Sequence, residues 1–506
     1  MSSDYYVMLD AMGIQDYLFD TNTLRIIIGG SLALAQWQEA CAKPSGGEVI
    51  LSAGGNVLAR FNGPNAKHNA IAFKDAALNI APKGMEISWA VTQDCGDAFI
   101  TWKKLQSEIS RYKAGARDPG DYPRRSRPGP PGCLHCGVRP KRARAKVGGR
   151  DACEICNERH LLGGSLTTPT GPTPIEKIYS IPQEEGLNPY PENLEDLVTR
   201  GEEEREDLAL VIVDLNDMGA KLREIIQSSN GFWALKEFSK ELEQEFTELF
   251  CKTVRTLSGT AKGFDQAHKR IRIRPLFLAG DDALFAMPAS LWIPFLEQVF
   301  ASMAKSGGFF RGHNISASAG VAVAKHTYPI SRMARMAQEL LKGAKNRLRW
   351  EKTEKPDLFD FALDWHAHQE SSFASPFQVR IRNYVRRDEN RDYEIATKRP
   401  YLWSRFKELL QDAHHLNGYS NRKLYTLYRG LRGGVRSTRD TLVHHFLRDE
   451  SQDLKKYDRL WDWVLRTGGA GHPLWEKTNF RRQTYQPNLF DTEFADLLEL
   501  RWFLEP

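Results

Sequence analysis

The 506-residue chain contains no apolar run approaching the ~18 residues needed to cross a bilayer. Its opening, MSSDYYVMLDAMGIQ, lacks the basic-then-apolar layout of a secretory leader. A cytoplasmic protein is therefore expected. Charge of one sign is not dominant either: the net charge is +6, which is mild for the length, so the distribution of charge is more informative than its total. Cysteine is scarce. There are seven, of which Cys41, Cys95 and Cys251 stand alone, and a reducing compartment makes disulfides the poorer use for the rest.

With 41% hydrophobic residues the chain can build several ordinary cores, and its length suggests roughly three or four domains. Residues 103–150 carry fourteen Lys or Arg against three acids, including RRSRPGPPG and RPKRARAK, a segment able to meet phosphate. Residues 184–207 carry ten acids against two Arg and read as a solvated linker.

Within the basic stretch, Cys133, Cys136, Cys153 and Cys156 form two C-x2-C pairs separated by sixteen residues. Two close thiolate pairs can surround a tetrahedral ion, so this spacing predicts a structural zinc site. Four thiolates fill the shell and leave no position for a catalytic water. His135 and His160 lie near enough in sequence to replace one ligand, but they read better as surface histidines of the knuckle.

The stretch RPLFLAGDDALFAMP, residues 274–288, sets Asp281 and Asp282 between two apolar runs. Gly280 tolerates positive φ and Asp bonds readily to its own turn backbone, so GDD needs no chemistry to explain it as a hairpin turn. A divalent metal site at that tip needs another carboxylate from a neighbouring strand. LALVIVDLNDMGAKL, residues 208–222, supplies a candidate: an aliphatic strand ending at Asp214, then Asn216, Asp217 and Gly219 turning into a helix near Ala220. The amides of such a turn can cradle phosphates. A helix over 291–305, the strand NISASAGVAVAK and a closing helix SRMARMAQELLKGAKNRLR complete a ferredoxin-like order, with helices expected on one face of an antiparallel sheet.

The first hundred residues repeat this order. YYVMLDAMGIQDYLF answers LALVIVDLNDMGAKL, EVILSAGGNVLARFN answers the GDD hairpin, and MEISWAVTQ answers NISASAGVAVAK. Gly55 and Asn56 stand where the second copy has Asp281 and Asp282, so Asp10 is left without carboxylate partners and the first copy is expected to lack chemistry of its own.

The opening GIQDYLFDTNTLRIIIGGSLAL, the four-cysteine knuckle, the AGDDALF hairpin and the tail SAGVAVAKHTYPISRMARMAQELLKGAK together resemble the Cas10 family, the Csm1/Cmr2-type large subunit of type III CRISPR effectors, over roughly residues 1–350. The resemblance implies an α+β chain of two ferredoxin-like palm domains, a zinc-binding helical insert and a helical C-terminal domain. The expected boundaries are 1–105 for a degenerate first palm, 106–165 for the basic zinc segment, 166–206 for the acidic linker, 207–350 for the catalytic palm and 351–506 for the C-terminal domain.

The resemblance also implies a palm-type nucleotidyltransferase making cyclic oligoadenylate from ATP. Asp214 and Asp281 would hold Mg2+ (or Mn2+) with Asp282 assisting, Asp217, Gly219 and Gly280 would lie at the nucleotide, and Lys345 would meet the triphosphate. Guide and target RNA would reach it through a complex with Cas5-, Cas7- and Cas11-like subunits. Two departures stand out: Ala279 replaces the first Gly of the family GGDD, and Asn216 stands where a second Asp is common. No His-Asp dipeptide occurs, so an HD nuclease site is not expected. Competing readings are a non-catalytic scaffold for guide and target RNA, and a stand-alone synthase of diguanylate-cyclase type. Residues 351–506, with FQVRIRNYVRR, NRKLYTLYRGLRGGVRSTRD and YDRLWDWVLRTGG, read as a helical bundle with a solvated basic face. Adjacent histidines at 414–415 and 444–445 point apart on a helix and make no metal site.

Overall fold

The first apolar run forms strand β1 (Tyr5–Met12), and its neighbours follow the order that alternating burial predicts: α1 (Ile14–Leu18), α2 (Leu24–Cys41), β2 (Gly47–Ala53), β3 (Asn56–Phe61), α3 (Ala66–Asn79), β4 (Glu86–Gln93) and α4 (Ala98–Gly115). A computed structural model describes residues 4–115, 132–137, 139–142, 145–164, 173–200, 204–368, 375–387, 393–416, 419–445, 474–478 and 489–504. They divide into two units, residues 1–317 with 324–335, and residues 318–323 with 336–506.

In the first palm the sheet order is β2-β3-β1-β4, all pairs antiparallel, which is the ferredoxin-like arrangement. Both faces of β1 are buried. Val7 and Leu9 are sealed on one side, while Tyr6 and Met8 on the other join a core with Trp102, Leu105 and Ile109 of α4. Helices therefore cover both faces of this sheet, not one as its sequence pattern suggests, because α4 returns across the second face and is joined there by Ile226, Phe232 and Leu235.

The cysteine segment leads into α5 (Glu154–Gly164), which lies against α2. The approach is close because neither helix carries a side chain at the crossing. A Cβ on Gly29 would fall 1.7 Å from the Arg159 carbonyl oxygen, and one on Gly163 would fall 2.1 Å from that of Arg25. Next, α6 (Pro174–Glu184) starts with Thr173 and Glu176 in a reciprocal cap, the Thr173 N–H donating to Glu176 Oε2 at 3.2 Å.

The second palm begins with β5 (Leu208–Leu215), followed by α7 (Met218–Gln227), α8 (Gly231–Ser258), β6 (Arg274–Ala279), β7 (Asp282–Pro288), α9 (Trp292–Met303) and β8 (Ala317–Ala324). Its first helix starts at Met218, two residues before the sequence estimate, because Asp217 itself caps it. Strand β7 pairs antiparallel with both β6 and β5. The Asn216 N–H donates to the Ser316 carbonyl at 2.8 Å, which brings the approach to β8 beside the end of β5 and reproduces the strand neighbours of the first palm. Both hairpins carry a register shift at the matching place, between Val49 and Leu51 in one and between Pro275 and Phe277 in the other. The internal repeat extends to this irregularity.

In the second unit, α10 (Ile330–Glu354) packs on β8, where Gly320 admits the helix backbone: a Cβ there would meet the Ala337 carbonyl oxygen at 2.0 Å. Strand β9 (Ala362–Ala367) runs parallel to β8. Beyond it come α11 (Pro376–Tyr384), β10 (Val385–Arg387), β11 (Tyr393–Ile395), β12 (Tyr401–Leu402), α12 (Trp403–His414), α13 (Asn421–Arg432), α14 (Val435–His445), β13 (Glu476–Thr478), β14 (Leu489–Asp491) and α15 (Phe494–Leu504). The C-terminal part is helical as expected, with one addition. A four-stranded sheet, β10-β11-β14-β13, takes VRR of FQVRIRNYVRR out of the helix, since β-branched Val385 pairs across to Ile395. RRSRPGPP and YDRLWDWVLRTGG lie outside the described residues.

Candidate active site

Hydrophobic strand residues carry β5 and β7 through the core, and the carboxylates appear where the strands end. Asp214 lies directly opposite Asp282 in the β5–β7 register, so the two share one face of the sheet. Asp281 occupies the turn, where its carbonyl accepts the Leu215 N–H at 2.9 Å. All three are partly exposed. Gly280 holds φ +65°, as the turn requires.

Asp217 is a non-glycine residue at φ +57°, capping α7, and its carbonyl accepts from Ala220 at 2.9 Å and Lys221 at 3.1 Å. Asn216, the position where the family often has Asp, is buried with its Nδ2 donating to Ser316 Oγ at 3.1 Å. Here that position ties the strand ends together. Lys345 lies on α10, in the second unit.

The first palm presents the same geometry without the same groups. Asp10 faces Asn56 in register, as Asp214 faces Asp282. Asn56 Nδ2 donates back to the Gly54 carbonyl at 3.3 Å, and Lys113 Nζ reaches Asp10 Oδ2 at 2.5 Å from α4. A fixed ammonium stands on the one carboxylate this palm retains. The two turns meet: a Cβ on Gly280 would come within 2.7 Å of both Cα and N of Gly54.

Beside these abutting turns lies a cavity of about 480 Å3, a volume suited to a nucleotide. Gly280 and Asp281 reach it from the hairpin, and Met218 and Gly219 from the start of α7. A Cβ at Gly219 would touch nothing within 4 Å, so glycine leaves room on the cavity side. Asn56 reaches the cavity from the first palm's hairpin; the remaining polar positions, Lys103 and Gln106 of α4, Arg223 of α7 and Ser239 and Glu243 of α8, were invisible in sequence, since each falls on an ordinary amphipathic helix.

The four knuckle cysteines do come together. Their sulfurs lie within 4.8 Å of one another, and among the described residues this is the only such group of three or more cysteine, histidine or carboxylate ligands. The three aspartates do not form another. As thiols the four are crowded: Cys156 is pushed up by its hydrogen bond with Cys136 and then by burial, and Cys153 chiefly by burial. Soft ligands in this number and closeness fit zinc. His135 and His160 are not part of the group; His135 Nδ1 instead bonds Thr23 Oγ1 at 3.1 Å, and the His160 carbonyl accepts from Arg25. Buried Arg159 ties the segment to the first palm, donating to the Leu18 and Ile26 carbonyls and pairing with Asp20 at 3.1 Å.

Comparison with known proteins matches residues 207–352 to the second palm domain of Cas10/Cmr2. The second palm is thus similar to the second palm domain of Cas10/Cmr2. Chains of the Csm1–Csm4 cassette share the fold. The cassette crystallised with AMPPNP matches at TM-score 0.55 and 14% identity, covering 99% of this chain and 70% of that one. The cassette with cA3 matches at 0.55 and 12%, with the same coverage. A Csm1–Csm4 subcomplex of the type III-A CRISPR-Csm interference complex matches at 0.54 and 13%, again over 99% and 70%. No curated protein matches the chain. The matched Cas10/Cmr2 palm contains both candidate acidic elements, the end of β5 and the β6–β7 hairpin. Among the described residues no helix is long and apolar enough to cross a membrane.

Proposed function

We propose that the second palm is a Mg2+-dependent nucleotidyltransferase that joins ATP into cyclic oligoadenylate, as the large subunit of an RNA-guided type III CRISPR-like effector. The observation that carries this reading is the pairing of Asp214 with Asp282 across β5 and β7, with Asp281 at the wall of a nucleotide-sized cavity. Hard carboxylate oxygens on two adjacent strands suit Mg2+ or Mn2+. When bound, the cations would favour ionisation of a 3′-hydroxyl and neutralise the pyrophosphate that departs.

The chain's own part is placement. Asp214, Asp281 and Asp282 hold the cations, while Gly219 and the first amides of α7 receive phosphate oxygens at a helix start. The abutting Gly54 and Gly280 turns fix the hairpin against the first palm, and a rigid hairpin matters because a ~1 Å misplacement costs about a hundredfold in rate. Fold relatives crystallised with AMPPNP, pppApA and cA3 support a nucleotide and an oligoadenylate as ligands. The Csm4 partner in those crystals supports a Cas5-like neighbour here, with Cas7- and Cas11-like subunits and guide and target RNA completing the assembly. The zinc holds the segment between the palms and takes no part in chemistry.

Incubating the full chain with each NTP and Mg2+ or Mn2+, with and without partner subunits and guide and target RNA, and analysing products by mass tests this reading. Cyclic oligoadenylate that depends on target RNA is expected. Linear or guanylate products would favour a stand-alone synthase, and no product under any condition would favour a scaffold.

A further inference from the structure

We propose that a second cavity, inside the C-terminal unit, binds a protonated oxyanion of the phosphate type, with Arg432 as its anchor and Glu499 as the group that separates phosphate from sulfate. The cavity measures about 70 Å3 and lies among the end of β9, α11, α13 and α15. By the same measure one water needs about 10–15 Å3. There is room for about five small groups, the heavy-atom count of one phosphate, and none for a nucleoside. The lining is polar and itself buried: His366, His368, Tyr384, Tyr428 and Glu499 all border the cavity and are all nearly sealed from solvent. Alternation along β9 and the residue after it puts the two histidines on one face of the strand.

Arg432 ends α13 and is held from two sides. Its guanidinium lies over the Tyr384 and Tyr428 rings, 5.5 and 5.8 Å from their centroids, and its Nε donates to the Asn383 carbonyl at 3.3 Å. Among the described residues the terminal amino groups of its fork have no hydrogen-bond or carboxylate partner. The neighbouring buried arginines are engaged: Arg399 pairs with Asp496 at 2.9 Å and Glu499 at 2.8 Å, and Arg380 with Asp364 at 2.6 Å. Arg432 is thus a preorganised cation whose open donors border a cavity, and its planar fork matches two oxygens of one oxyanion. His366 and His368, with ring centroids 5.9 Å apart, add two imidazoles, each carrying an N–H in either tautomer. With Glu499 they do not make a metal-ligand group, so the charged ligand that the cavity fits is an anion.

A carboxylate in the wall of an anion site sets the selectivity. Glu499 Oε2 accepts from Arg399, and its Oε1 accepts from the hydroxyls of Tyr384 and, at 2.7 Å, Tyr428. An ionised carboxylate has about four acceptor positions, so one remains. That lone pair repels an oxyanion without a proton and accepts a hydrogen bond from one that carries an O–H. Near neutral pH inorganic phosphate and the monoanion of a phosphomonoester both hold a P–OH, whereas sulfate is fully ionised. Sulfate has the same size and shape, yet it would set a bare oxygen against Glu499 with no proton between them. Two buried acceptors left facing each other are costly, which turns one missing proton into discrimination.

The test is calorimetric titration of the full chain, without Mg2+, with inorganic phosphate, sulfate and methyl phosphate. Wild type should bind phosphate about tenfold or more tighter than sulfate, and Arg432→Gln should weaken phosphate binding by about tenfold or more. Glu499→Gln replaces the acceptor with an amide that can donate, so it should abolish the preference for phosphate. Thermal melts check folding. If Glu499→Gln fails to fold because Arg399 loses a buried partner, the wild-type comparison and Arg432→Gln, a change at a helix end, still decide. Methyl phosphate that binds along with phosphate identifies the end of a phosphomonoester as the ligand, and phosphate binding alone identifies the free ion; either upholds the site. No saturable phosphate binding at millimolar concentration would mean that the cavity holds water only and would overturn the proposal. So would equal affinity for phosphate and sulfate in wild type, or phosphate binding that survives Arg432→Gln unchanged, which would place the anion elsewhere on the chain.

Discussion

The two palms are the same device carrying different residues. Strand order, hairpin register, the shift within the second strand and the left-handed residue after the first strand all recur, Gly13 at φ +60° in one and Asp217 at φ +57° in the other. The differences are few. Asp282 becomes Asn56, Asp281 becomes Gly55, and Lys113 is set on Asp10. On the proposed reading, the backbone alone does not make a metal site. Two hairpins of one geometry differ in the groups they carry: one keeps a carboxylate pair, and the other has replaced half of it with an amide that braces its own turn and neutralised the remainder with an internal cation.

The largest effect that would sharpen this contrast comes from removing the surviving carboxylates. Asp281→Ala with Asp282→Ala should lower oligoadenylate formation by at least about a hundredfold, a loss typical of transition-state charge stabilisation, while Asp10→Asn should leave the rate within about threefold. Melting of the double variant should be nearly unchanged, since partly exposed turn carboxylates contribute little to the core. Comparable losses from the two palms, read by product mass analysis, would break the distinction.

Next in size is the cysteine segment, whose helix α5 packs against α2 of the first palm. Metal analysis should find about one zinc per chain. Cys133→Ser with Cys153→Ser should release it and expose residues 132–164 to limited proteolysis, because thiolate ligation and folding of such a knuckle are linked. The chain is bound to α2 through Arg159 and the Gly29–Gly163 crossing, so cleavage should loosen α2 as well. Metal-free protein as resistant as the zinc form would refute this.

A third test acts on the contact between the palms. Gly280→Ala would force a Cβ onto φ +65° and onto the Gly54 backbone. The left-handed conformation alone costs about 1–2 kcal/mol, and the hairpin must also shift from its partner. Nucleotide turnover should fall about tenfold or more, given the sensitivity of in-line attack to sub-ångström placement. Gly219→Ala meets no protein atom, so its fold should be intact and any loss should appear in nucleotide affinity. Equal melting and equal KM for the two variants would remove the argument that one glycine serves the hairpin and the other the ligand.

What was readable in sequence follows from what each feature depends on. The knuckle was legible because its spacing carries the ligand geometry within a short stretch. The duplicated palm was legible because Asp214 and Asp282 sit at the ends of strands whose apolar runs are unmistakable, and their equivalents Asp10 and Asn56 recur at the same places. Lys113, Ser239 and Glu243 were not, because a long helix places such residues on its polar stripe by default and only tertiary packing decides which of them face a carboxylate or a cavity. The small C-terminal sheet was hidden for the same reason: β10, β11, β13 and β14 have three residues each and pair across long sequence separations, leaving no period to detect.

The smallest expected effect on turnover is also the sharpest test of the proposal that the first palm is inert. If an amide and an ammonium are what separate it from the second, restoring the carboxylate should not suffice while Lys113 remains. Asn56→Asp alone puts a second acid opposite Asp10, yet the ammonium 2.5 Å from Asp10 continues to occupy the place a cation would take, so no new Mn2+ binding is expected. Lys113→Met alone leaves a partly buried carboxylate unpaired, at about 1 kcal/mol of stability, with Asn56 still unable to supply charge. Only the combination recreates two facing carboxylates on an open strand end, the minimum that oxygen-loving cations use. Titration of Mn2+ followed by paramagnetic resonance should then show one additional weak site in the double variant and in neither single one, with oligoadenylate yield unchanged because the second palm is untouched. An extra site in Asn56→Asp alone would show that Lys113 is a surface ion pair of no consequence. No extra site in the combination would mean that the first palm differs from the second in its backbone after all.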